Sequence, residues 1–121
     1  MKRNPWLPVV VVTLIILTLT SIPRIPQPQT KIHFLDKIAH FIVYFLWGYS
    51  ITFVWKIKNR RSTLAVLTVA SVILLFPSFD ELHQYLIPSR NPSILDWLAD
   101  LAGATAGFAI FSEFRIRGRR M

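Results

Sequence analysis

Residues 64–87 read LAVLTVASVILLFPSFDELHQYLI. From Leu64 to Phe79 the run is apolar and does not alternate. Asp80-Glu81-Leu82-His83-Gln84 then adds two acids, an imidazole and an amide before Tyr85-Leu86-Ile87 turns apolar again. A helix rises about 1.5 Å per residue, so roughly 18–20 residues cross a hydrocarbon core of about 30 Å. The apolar part alone falls short of that, and the run spans comfortably only with the polar turn inside it. The length therefore predicts a helix that carries charged groups into one leaflet. An ionised side chain at a helix centre costs about 2.5–3.5 kcal/mol on insertion scales, so such groups have a partner or a purpose. The competing reading is an interfacial loop with solvated charges.

Three more apolar stretches flank this one, at residues 5–22, 38–55 and 94–112. Apolar residues make up 53% of the 121-residue chain and charged residues 17%, too few charges for the surface of so small a soluble domain. Backbone groups in lipid must be satisfied within the segment, which favours helices. A β-barrel needs alternation, and Val9-Val10-Val11-Val12 does not alternate. The expected fold is all-α: one domain over residues 1–121, an integral membrane four-helix bundle. The first stretch also resembles a signal peptide, with Lys2 and Arg3 ahead of an apolar run. The run is long, and Ser21-Ile22-Pro23-Arg24 is a poor cleavage site, so an uncleaved helix is expected.

Ten of the fourteen Lys and Arg lie before the first stretch, between the second and third, or after the fourth. The other side holds Arg24, Lys31, Lys37 and Arg90. The positive-inside rule places both termini in the cytoplasm. The net charge of +8 then reads as a topology signal with attraction to anionic lipid. Nucleic-acid binding is not expected, because the basic clusters sit at helix ends.

On this map Asp36, Asp80, Glu81, Asp96 and Asp100 fall on the outer side, and only Glu113 lies inside. His33, His40, His83, Gln84 and Arg90 are outer too. Asp36 and His40 are four apart and share a helix face, which Tyr44 and Gly48 continue inward. This pair is either a carboxylate orienting an imidazole for acid–base work, or an N-cap beside an interfacial histidine. Asp80 and Gln84 share a face in the same way. Ser93 and Asp96 resemble a capping box, which leaves Asp100, one turn deeper, unexplained. Arg90, in the turn Pro88-Ser89-Arg90-Asn91-Pro92-Ser93, would clamp a phosphate or carboxylate, or pair with Asp80 or Glu81. Five acids in one small volume repel one another unless Arg90, Lys37 or a protonated histidine offsets them. Gly103 and Gly107 form a Gly-x-x-x-Gly step suited to close helix approach.

The ordered set Asp36-Lys37-x-x-His40, Asp80-Glu81-x-x-Gln84, Pro88-x-Arg90 and Asp96-x-x-x-Asp100-x-x-Gly103-x-x-x-Gly107 resembles the VanZ-like membrane proteins over residues 36–108. The resemblance implies a small multi-pass protein of the bacterial inner membrane. The founding member of that family is associated with low-level resistance to the glycopeptide teicoplanin. Two positions depart from the pattern: Ser89 stands where the family usually has Gly, and Asp100 where many members have Asn.

The chain has no Cys, which removes disulfides and thiolate chemistry. It also lacks a Walker loop, a dinucleotide fingerprint and a nucleophile elbow, so no cofactor is expected. A metal is not expected either, because no His-Glu-x-x-His spacing exists. The candidate catalytic residues are Asp36, His40, Asp80, Glu81, Gln84, Asp96 and Asp100, with Arg90 and Lys37 as substrate-binding cations. They suit a protein that binds or acts on an anionic envelope precursor or lipid head group. A proton-coupled carrier and a non-catalytic scaffold are the alternatives. Single Cys labels at Asn59 and Asn91 test the orientation with a membrane-impermeant thiol reagent on intact cells. Asn91 is expected to label and Asn59 to stay protected, and the reverse pattern would invert the topology.

Overall fold

The structure, a computed structural model, describes residues 3–23, 32–55, 62–91 and 93–120, without the side chains of Ile32, His33, Arg115, Ile116, Arg119 and Arg120. Lys2, Arg24, Lys31, Lys56, Lys58, Asn59, Arg60 and Arg61, on which the orientation argument draws, lie outside the described residues, as does Pro92. The described residues form four helices: α1 (Leu7–Ser21), α2 (Ile32–Trp55), α3 (Thr63–Gln84) and α4 (Ile94–Arg120). Segments of 22, 22 and 21 residues in α2, α3 and α4 are long and apolar enough to cross a membrane. At 15 residues, α1 is shorter, about 22 Å of rise.

The boundaries follow local chemistry. The Val-rich start of α1 has modest helix propensity, but a helix satisfies its own backbone where water cannot. Pro8 sits in its first turn, where a missing N–H costs nothing. The extended Ile22 before Pro23 ends it. Helix α2 begins six residues earlier than the apolar pattern suggests, so Asp36 lies inside it and is not its N-cap. Helix α3 takes in Asp80 to Gln84, as its length requires. It buries Ile73, Pro77, Asp80, Glu81 and Gln84, one face at helical spacing. Helix α4 runs on through the basic tail.

Outward-facing leucines on every helix (Leu14, Leu46, Leu75 and Leu98) are exposed, whereas Asp80, Asp100, Gln84 and Asp96 are buried. That inversion of a soluble bundle is what a lipid solvent selects. Trp47 Nε1 donates to Thr13 Oγ1 at 3.0 Å between α2 and α1, and Trp97 Nε1 to Ser78 Oγ at 2.9 Å between α4 and α3.

Helices α2 and α4 run parallel and form the tightest seam. The pairs Lys37/Asp96, His40/Asp100, Phe41/Gly103, Phe45/Gly107 and Tyr49/Phe111 advance together along both. A Cβ on Gly103 would collide with the Phe41 carbonyl, one on Gly107 with the Phe45 carbonyl, and one on Gly48 with that of Ala104. These are backbone atoms and cannot swing aside. Gly118 meets nothing within 4 Å. Gly103→Leu and Gly107→Leu are expected to cost more than about 3 kcal/mol or to abolish membrane accumulation, while Gly118→Ala leaves both unchanged. Thermal unfolding in detergent and membrane yield check this, and wild-type values for both leucine variants would place that face against lipid.

Candidate functional site

The alternation of helix direction brings the end of α1, the start of α2, the end of α3 and the start of α4 to one end of the bundle. Asp36, His40 and Tyr44 share a face of α2, Asp80, Glu81 and Gln84 the buried face of α3, and Asp96 and Asp100 that of α4. Every candidate site residue lies at this end. They do not form one undivided pocket, but fall into three connected groups.

The deepest group surrounds Asp80. Tyr44 Oη donates to Asp80 Oδ2 at 2.7 Å. Thr20 Oγ1 lies 2.8 Å from Asp80 Oδ1 and 2.9 Å from the Ile16 carbonyl. Its single proton serves one acceptor at a time, and the carboxylate is the stronger. Both oxygens of a fully buried carboxylate are thus met by hydroxyls from two other helices.

The central group joins His40, Asp100 and Glu81. His40 Nδ1 is 2.7 Å from Asp100 Oδ1, and His40 Nε2 is 4.0 Å from Asp36 Oδ2. Asp100 is fully buried, and its Oδ2 has no hydrogen-bond partner among the described residues. Glu81 is held loosely: the Gln84 side-chain amide donates to Oε1 at 3.5 Å and the Ser93 backbone N–H to Oε2 at 3.3 Å.

Nearest the surface, Lys37 Nζ pairs with Asp96 Oδ1 at 3.2 Å. The Asp96 backbone N–H donates to Ser93 Oγ at 3.3 Å, which realises the Ser93 half of the expected capping box. Arg90 caps α1: its Nη2 donates to the Leu19 carbonyl at 2.6 Å and the Ile22 carbonyl at 3.0 Å, and its Nε to the Ile22 carbonyl at 3.1 Å. A cation there complements the negative end of the helix dipole. This α1 cap is a role the sequence did not suggest for Arg90. The neighbouring Ser89 adopts φ 65°, a left-handed conformation that glycine takes without penalty. His83 stacks on Phe79 and its buried Nδ1 has no hydrogen-bond partner among the described residues, but it belongs to none of the three groups. The side chain of His33 is outside the described residues.

A cavity of about 280 Å³ opens beside these groups. Ile16, Leu19, Ala39 and Val43 form its apolar wall, and Thr20, Asp36, His40, Tyr44 and Arg90 its polar one. A larger cavity at the opposite end, about 380 Å³, is apolar apart from Ser62, Thr68 and the two tryptophan rings of Trp6 and Trp55, and holds no group for acid–base chemistry. Two sets of side chains could ligate a metal, Asp36/His40/Asp96 and His40/Glu81/Asp100, each with donor atoms within 4.8 Å of one another.

Sequence reasoning missed the two hydroxyls. Tyr44 carried a usable signal, four residues after His40 on the same face. Thr20 carried none beyond its place near the end of an apolar helix. The family model for VanZ/LLP1 matches residues 4–116. No curated protein and no solved structure matches the chain.

Proposed function

The chain belongs to the VanZ/LLP1 family, and on that premise we propose that it binds the anionic head group of a lipid or envelope precursor in the cavity between α1 and α2. The two-sided lining of that cavity carries the reading. A head group on an apolar chain needs a polar wall beside an apolar one, at the end of membrane-crossing helices. With both termini in the cytoplasm, this end faces outward from the bacterial inner membrane, where envelope precursors are found. The association of the founding family member with teicoplanin resistance fits a ligand from that compartment.

Under this reading His40 is the proton-exchanging group, with Asp36 and Asp100 orienting the imidazole from either side. Arg90, on the cavity wall, and Lys37, nearer the surface, supply positive charge for the head group. Glu81, Gln84 and Asp96 are buried and lie outside the cavity lining. Asp80 is different, because Thr20 and Tyr44 engage both its oxygens. That pattern favours a structural lock among three helices, and it is the one place where the scaffold alternative has direct support.

Native mass spectrometry of protein released from vesicles holding equal amounts of phosphatidylcholine and a polyprenyl phosphate tests the proposal. Wild type is expected to retain the anionic lipid preferentially. His40→Gln and Arg90→Lys are expected to cut that preference about tenfold, the loss of one charge-assisted contact. Equal retention of both lipids by wild type would overturn the proposal.

A further inference from the structure

We propose that His40, Glu81 and Asp100 form a binding site for a divalent first-row metal cation at the buried centre of the polar end. The sequence argued against a metal because no His-Glu-x-x-His spacing exists and Arg90 already offers the cluster a cation. The structure instead draws one donor from each of α2, α3 and α4, and no local motif encodes that arrangement.

Four observations carry the site. The donor atoms of the three side chains lie within 4.8 Å of one another. His40 Nδ1 and Asp100 Oδ1 are 2.7 Å apart, and two such donors subtend about 80° at a cation roughly 2.1 Å from each. The hydrogen bond they make with each other is the alternative to that arrangement, with a proton in place of the metal. Among the described residues Asp100 Oδ2 is buried without a partner, and buried carboxylate oxygens seldom go unsatisfied. Finally, Glu81 is held by two long hydrogen bonds and is the flexible arm that closes on a cation.

Charge points the same way. The described residues gather Asp36, Asp80, Glu81, Asp96 and Asp100 around Lys37, Arg90 and His40. Two carboxylates and a neutral imidazole carry two negative charges, which a divalent ion cancels where water cannot. One nitrogen and two oxygens suit zinc, manganese or ferrous iron better than magnesium or calcium, which prefer oxygen alone. Asp36, behind Nε2 of the imidazole, is a positioning residue in the manner of a carboxylate–histidine–metal relay. The site rests on the geometry of these side chains and not on the head-group reading, and it is measured with no lipid ligand added.

The experiment uses full-length protein purified in detergent without a polyhistidine tag, stripped with EDTA and titrated with Co²⁺ or Zn²⁺ in metal-free buffer. Wild type is expected to bind about one equivalent per chain, with cobalt d–d absorption bands. His40→Ala, Glu81→Gln and Asp100→Asn are expected to weaken binding by about 10- to 100-fold or more, and the exposed Glu113→Gln to leave it unchanged. Asp36→Asn is expected to weaken binding less than the three ligand variants. Circular dichroism establishes whether each variant keeps its helices. Where one does not, pulsed electron paramagnetic resonance of Mn²⁺-loaded wild type decides, through the imidazole nitrogen coupling. No stoichiometric binding by wild type, no nitrogen coupling, or ligand variants that bind as wild type would overturn the proposal.

Discussion

A carboxylate cannot face hydrocarbon, and the arrangement of this bundle depends on that constraint. Asp80 and Asp100 are fully buried on α3 and α4 although both helices expose large apolar faces. Once those two side chains must point inward, the rotation of each helix about its axis is set. Glu81 and Gln84 then follow on α3, and Asp96 on α4, because they lie one residue or one turn away. In lipid, contact between apolar faces supplies little drive for association, since the tails are as apolar as leucine. Polar contacts between helices and close backbone packing take its place.

The second of these is the α2–α4 seam. Glycine at 48, 103 and 107 lets two parallel backbones meet where a Cβ would collide with a carbonyl. That closeness sets the distance between the His40 and Asp100 side chains one to two turns away. A wider seam would separate the imidazole from the carboxylate and leave both unmatched in a dry interior. The glycines and the polar end are therefore parts of one device. Helix α1 closes the device from the side: Thr20 reaches Asp80, and Arg90 fastens the end of α1 to the turn after α3.

Much of this was legible in the sequence. The length of the third stretch required Asp80 to Gln84 to be helical, and they are. The Gly-x-x-x-Gly step announced a close approach, and Gly103 and Gly107 make one. The alternation of spans placed the polar residues at one end. What was not legible depends on rotation and register between helices. No spacing says that Lys37 meets Asp96, that Arg90 caps α1, or that Tyr44 and Thr20 converge on Asp80. The start of α2 was misplaced because His33 and Lys37 interrupt the apolar pattern that marks a span. With it went the reading of Asp36 as a cap, since a residue in the second turn of a helix has no free helix end to serve.

On the reading proposed above, the polar end works on a ligand and does not merely hold helices together. Paired measurement of thermal stability and of polyprenyl phosphate retention from mixed vesicles tests it most directly, with Asp36→Asn, His40→Gln, Glu81→Gln, Arg90→Lys and Asp100→Asn set against Tyr44→Phe and Thr20→Val. Two populations are expected. The first five lose function while keeping most of their stability, and the two hydroxyl variants lose stability, about 1–3 kcal/mol for a buried carboxylate left short of a donor, with function falling only in proportion. A single line, on which function follows stability at every position, would contradict it.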